Sequence, residues 1–106
     1  MTITERGKRK QTIQDLEASR DIIEKYGWIQ GDLGNTEQGF CMMGAIDQHI
    51  HTEEHDSNPG RFYRAYKTLR LVIGHNHISE WNDKEGRTKE EVITAFNQAI
   101  TELARI

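Results

Sequence analysis

Apolar residues in this chain recur at helical intervals, separated by short polar stretches rich in turn formers. Ile13, Leu16, Ile23 and Tyr26 follow at spacings of 3, 7 and 3, which places them on one helix face with Glu17, Arg20, Asp21 and Glu24 turned to water. The pattern predicts a first helix from Thr12, a permitted N-cap with Asp15 and Glu17 favourable in the opening turns, to a stop at Gly27. Residues 28–38 read as a loop punctuated by Gly31, Gly34 and Asn35 and pinned by Trp28, Ile29 and Leu33. A second helix is expected over 39–51, with Met42 or Met43, Ile46 and Ile50 as its bulk. Pro59, behind Asn58 as cap, suits the first position of a third helix. There Phe62, Tyr66, Leu69 and Ile73 repeat at 4, 3 and 4, and Gly74 ends the run. Residues 75–86 look irregular, with a short turn carrying Ile78 and Trp81 inward. Thr88 and Glu91 then form a Thr-x-x-Glu capping box ahead of Val92, Phe96, Ala99 and Leu103. No alternating pattern of strand length interrupts this series. The expected fold is all-α, a small bundle of about four helices with a long Gly-rich loop between the first and second.

Two segments stand apart from the plain stripes. In 39–46, the small residues Cys41, Gly44 and Ala45 lie among large apolar ones, as expected where one helix lies close against another. A glycine inside a helix costs about 1 kcal/mol relative to alanine, so Gly44 has a packing purpose. In 81–92, Trp81 precedes the turn formers Asn82 and Asp83, which can bond nearby backbone N–H groups as Asx-turns. Arg87 is placed to pair with Asp83 across the turn. Trp28, Cys41, Gly44, Trp81, Asn82, Asp83, Arg87, Thr88 and Glu91 are thus read as structural residues.

Length and charge narrow the class. A chain of 106 residues fits one domain, read as 12–106, preceded by a basic arm over 1–11 that carries Arg6, Lys8, Arg9 and Lys10. No apolar run nears the ~18 residues that a bilayer span requires. The polar first ten residues lack an apolar signal core, and the lone Cys41 suits a reducing compartment, so a cytoplasmic location is expected. The net charge of -3 is too mild to indicate a nucleic-acid mimic.

The two segments resemble an uncharacterised domain family found in bacteria and their phages. Its pattern is a Cys-x-x-Gly-Ala-hydrophobic helix start, then a hydrophobic-x-x-Trp-Asn-Asp stretch followed by Arg-Thr-x-x-Glu-Val. Here these are Cys41, Gly44, Ala45 and Ile46, then Ile78, Trp81, Asn82 and Asp83, then Arg87, Thr88, Glu91 and Val92. The Gly27-Trp28-x-Gln30-Gly31 loop also fits, and the resemblance spans about residues 16–99. It implies a fold and no known activity, and it suggests that the chain is phage-encoded and acts in the host cytoplasm.

Three constellations carry candidate chemistry. Cys41 in the first turn of its helix, with His75 or His77 as base and Asn82 or Asp83 as orienter, has the order used for acyl transfer. Gln30 or Gln38 would donate to the oxyanion, and Cys41, His77 and Asp83 are the preferred set. Against it, free cysteine is among the most buried residue types. His51-Thr-Glu-Glu-His55 matches a zinc motif in which both imidazoles grip the metal and Glu54 is the base, with His49 or Asp47 as a further ligand. The turn-rich 56–60 that follows argues for a hydrated loop instead. Finally, Arg61, Arg64, Lys67 and Arg70 interleave with Phe62, Tyr63 and Tyr66, a pattern compatible with nucleic acid. Phe62 and Tyr66 belong to the core stripe and the basic residues to its wet face, leaving Tyr63, with Arg64 and Lys67, as an anchor for a partner. The favoured expectation is a non-enzymatic module that needs no cofactor or metal and no membrane and binds a host or phage protein. A cysteine-dependent hydrolase or transferase and a weak nucleic-acid binder are the alternatives.

Overall fold

The computed structural model describes residues 5–52 and 60–106. Five helices account for most of them: α1 (Glu5–Tyr26), α2 (Met42–Thr52), α3 (Gly60–Ile73), α4 (Ile78–Asp83) and α5 (Lys89–Ala104). Two short strands, β1 (Gly34–Asn35) and β2 (Gly39–Phe40), pair antiparallel between α1 and α2. The fold is all-α, as the periodicity predicts, with one more helix than the four expected. The extra one is α4, whose six residues are too few to show a repeat.

α1 is the central element and packs against α2, α3 and α5. It begins at Glu5 and not at Thr12, so Arg6, Lys8, Arg9 and Lys10 lie on its first turns. Glu, Arg, Lys and Gln are good helix formers and carry the helix through this stretch. Thr12 has no need of the extended backbone of a cap, because its hydroxyl donates to the Lys8 carbonyl one turn back, at 2.8 Å. Leu16, Ser19 and Ile23 are buried on the inner face, and Gly27 closes the helix in a left-handed conformation.

The 39–46 segment departs from its reading in two ways. Gly39 and Phe40 belong to β2, so α2 starts at Met42. The close neighbour of Gly44 is also not a helix. A Cβ there would stand 1.9 Å from the Leu33 carbonyl oxygen, and the same oxygen accepts the Cys41 N–H at 3.1 Å. Gly44 therefore lets the loop backbone lie directly on α2. Gly39, at φ +102°, does the same for Gly27, whose carbonyl a Cβ would approach to 2.7 Å.

α3 buries Arg61, Ala65 and Leu69, four residues apart along one face, with Phe62, Tyr66 and Ile73 half-buried beside them. The proposed Asn58 cap and Pro59 start lie outside the described residues. α5 opens with the capping box: Glu91 N–H donates to the Thr88 hydroxyl at 3.2 Å, and Thr88 N–H to the Glu91 carboxylate at 3.0 Å. The hydrogen bond from the Thr88 backbone, with help from Arg87, holds the Glu91 carboxyl below its ordinary range. Phe96, Leu16, Ile23, Met42, Ile46, Leu69, Ile78 and Val92 fill the core where the helices meet.

Candidate functional site

Asn82 ties one end of the bundle together. Its side chain is fully buried. Its Oδ1 accepts from Trp28 Nε1 at 2.7 Å and from the Met42 N–H at 3.2 Å. Its Nδ2 donates to the Ile29 carbonyl at 3.1 Å and to Asp83 Oδ1 at 2.8 Å. A primary amide has two donors and two acceptor sites, and these four bonds fill them. Asp83 Oδ1 also accepts the Gly31 N–H, while Gln30 Nε2 donates to the carbonyls of Asn82 and Lys84. Asn82 and Asp83 thus reach across to the loop after α1 and not to the nearby backbone of an Asx-turn. Arg87 does not pair with Asp83. Its guanidinium lies 3.6 Å from the Trp81 ring centre and bonds the Trp81 carbonyl and the Glu91 carboxylate. Stacking on an indole and a fork to two oxygens use the planar guanidinium more fully than a turn carboxylate would.

Cys41 occupies the N-cap position of α2. Its sulfur accepts the Gly44 N–H at 3.3 Å, so the thiol and Asn82 Oδ1 together satisfy two of the free amides at this helix start. Burial pushes the thiol up from its ordinary pKa, and the nearby Asp83 charge adds to that; hydrogen bonds from Gly44 and Met43 oppose it without prevailing. No hydrogen bond joins Cys41 to His77 or Asp83. His77 is exposed, and Gln30 spends its amide on two carbonyls. The structure brings Asp83 near the sulfur and leaves His77 apart.

A second polar cluster sits on the far side of α1. Asp15, buried in mid-helix, accepts from Arg61 Nε at 3.2 Å and Nη2 at 2.5 Å and faces His49 Nε2 at 3.0 Å. Burial alone would raise the Asp15 carboxyl, yet hydrogen bonds and charge from His49 and Arg61 outweigh it and hold it below the ordinary range. Asp15 is thus an internal counter-ion and not a helix-dipole residue, and Arg61 lies in the core and not on a wet face. The signal was in the sequence: Asp15 and Ser19 fall on the same stripe as Leu16 and Ile23, and an acid in a core stripe requires a buried cation. His49 turns inward to this cluster. His51 is exposed and pairs with Asp47 at 2.7 Å, and His55 lies outside the described residues. Among the described residues, no group of three or more His, Cys, Asp or Glu side chains converges to hold a metal ion.

The third feature is an open trough where α1, α3 and α5 meet. One part, about 500 Å³, lies between α3 and α5 over Leu71, Val72, Leu103 and Ile106. It continues along α1 as a cleft of about 390 Å³ edged by Lys8, Arg9, Arg64 and Lys67. Leu71 and Ile106 are 72% and 78% exposed. Tyr63, also exposed, stands four residues before Lys67 and eight before Leu71, so the three form one outer ridge of α3. An adjoining shallow pocket of about 370 Å³ beside Trp81 shares Val72 and Gln98 with the trough and is lined also by Glu90 and Glu91.

A helical domain with its distinctive polar residues bonded inward, and with apolar and basic groups gathered on one open face, belongs in build to the small helical modules. The chain belongs to the family described as "Family of unknown function (DUF6197)", whose profile matches residues 8–102. No curated protein and no solved structure matches it. Among the described residues, no helix is long and apolar enough to cross a membrane.

Proposed function

We propose that this chain is a small non-enzymatic interaction module, acting in the cytoplasm on a host or phage protein. The observation that carries the reading is the contrast between its two ends. Around Asn82 the reactive residue types are consumed by internal bonds, whereas at the α1–α3–α5 end large apolar side chains and basic groups stand open to water. Exposed apolar groups beside charged ones are the composition of a recognition surface. The cysteine-dependent alternative requires a thiolate near a base, and Cys41 offers a protonated thiol that caps a helix.

Alkylation and cross-linking test the reading together. With iodoacetamide at neutral pH, the native chain stays unmodified for as long as it stays folded and reacts at once in denaturant. A photo-reactive side chain at Leu71 captures a discrete protein from host extract, and one at the opposite end, at Glu85, does not. Rapid native alkylation of Cys41, together with turnover of an ester or amide that Cys41→Ala abolishes, would overturn the reading in favour of an enzyme.

A further inference from the structure

The trough specifies a class of partner. Resting on the interaction-module reading, we propose that it seats an acidic amphipathic helix of a partner protein, with its apolar face on Leu71, Leu103 and Ile106 and its carboxylates toward Lys67 and Arg64.

Four observations converge on this occupant. First, the floor is aliphatic and open, with Leu71 and Ile106 both more than two-thirds exposed. The two clefts share Thr68, Leu71, Leu103 and Ile106, so they form one continuous open floor onto which the apolar side chains of a helix face can be laid. Second, the charge is biased. Lys8, Arg9, Arg64 and Lys67 face it against Glu5 and Glu102. Glu5 and Lys8 pair at 3.6 Å and offset each other, and Glu102 pairs with Arg105 at 3.1 Å, so Arg9, Arg64 and Lys67 leave the trough basic. The chain as a whole is acidic, so a basic trough on it is a local feature. Third, Arg64 is anchored in the cleft: its side chain is half-buried and lines the cleft beside Lys67, with Nη2 bonded to Gln11 at 3.1 Å. A guanidinium fixed in this way presents a positioned cation to an incoming carboxylate, and a charge-assisted bond to it is stronger than one between neutral groups. Fourth, the outer ridge alternates in character along one line, with Tyr63, then Lys67, then Leu71. A helix carrying acids beside its apolar stripe would match that order.

Two other occupants fit less well. A nucleic acid would engage the basic rim and leave Leu71 and Ile106 in water, because an aliphatic floor provides no stacking surface. A second copy meeting trough to trough would put two basic rims into one interface, with the carboxylates of Glu5 and Glu102 already paired within each chain.

The test selects binders to the full chain from a display library of randomised helical peptides. Selected peptides are then measured against wild type, Leu71→Glu and Lys67→Glu. Both positions are exposed, and equal urea midpoints for the three proteins confirm that the fold is kept. The expected result is enrichment of peptides with apolar residues at i, i+4 and i+7 flanked by Glu or Asp. Leu71→Glu then weakens them by about tenfold or more, and their affinity falls with salt. Lys67→Glu also weakens binding, and a peptide whose facing Glu is changed to Lys recovers it. Selected sequences that are basic or uncharged, or that bind all three proteins alike, overturn the proposal. So does a failure to select any peptide that distinguishes wild type from Leu71→Glu. A 20-mer DNA duplex that binds through Lys8 and Arg9 and ignores Leu71→Glu overturns it in favour of nucleic acid. A concentration-dependent dimer lost in Leu71→Glu overturns it in favour of a second copy. Each of these outcomes is distinguishable from failure of the module reading, which requires Cys41-dependent turnover.

Discussion

Truncating Asn82 to alanine should be the most damaging single change near the 81–92 segment. The side chain is fully buried and holds three groups from other elements: the Trp28 indole N–H, the Met42 N–H and the Ile29 carbonyl. Asn82→Ala leaves all three without that partner. Met42 is wholly buried, so its amide bears the full penalty of an unsatisfied donor, whereas Trp28 and Ile29 are half-buried and can recruit water. With about 1–3 kcal/mol for an orphaned buried group and less for the wet ones, the total is about 3 kcal/mol. A domain of this size has about 5–15 kcal/mol in all, and the loss corresponds to a fall in Tm of about 10–20 °C. The assay is urea unfolding followed by tryptophan fluorescence, since Trp28 and Trp81 both report on this end. Asn97→Ala, which removes an exposed amide bonded to Arg20, is the control and should stay within about 0.5 kcal/mol of wild type. If Asn82→Ala matched that control at unchanged m-value, Asn82 would not be the tie described here.

Two further outcomes follow from the same physics. Gly44→Ala should destabilise by about 1–3 kcal/mol in a thermal melt, because the new Cβ meets the Leu33 backbone at 1.9 Å; helix propensity alone predicts a gain of about 1 kcal/mol, so the sign decides. Asp15 has a lowered carboxyl pKa in the folded state, so its contribution is complete above the ordinary aspartate value of about 3.9 and is lost as pH falls through the folded value. Asp15→Asn should therefore remove part of the acid limb of the stability–pH profile. Asp15→Leu should cost about 3–5 kcal/mol, most of it recovered when Arg61→Met removes the buried cation as well. A double variant no more stable than Asp15→Leu alone would refute that pairing.

Legibility in the sequence followed the length of the signal. The α5 stripe and its Thr88–Glu91 box were readable because both lie within one helix and act through neighbours three or four residues away. The start of α1 is not legible locally, because Thr12 is a good cap and also a tolerable helix residue once its hydroxyl bonds back to Lys8. The helix formers of the preceding turns carry α1 past that point, and the bond from Arg64 to Gln11 joins those turns to α3. Asn82 and Gly44 could be picked out by residue type, yet their partners are 40 to 54 positions away from Asn82 and in the loop at Leu33 for Gly44. Local spacing carries no record of such contacts. The charge of Arg61 argues for water, whereas its register places it on the buried face with Ala65 and Leu69, and the Asp15 carboxylate lets register prevail.

The arrangement of polar bonds also bears on how the open face would bind. Asn82 fastens the loop after α1 to the start of α2 and the end of α4, and Asp15 fastens α1 to α2 and α3. Both sets bind elements far apart in sequence, so the angles between α1 and its neighbours are fixed by directional bonds as well as by apolar packing. α1 and α3 form two walls of the trough, and α5 packs on both. A surface held in this way loses little conformational entropy when it is covered, and such preorganisation leaves more of the contact energy as affinity. Weakening Asp15–Arg61 should then loosen the trough without touching a residue that lines it. An acidic helix would bind the Asp15→Asn variant more weakly than wild type, although Leu71, Lys67 and Arg64 are all still present.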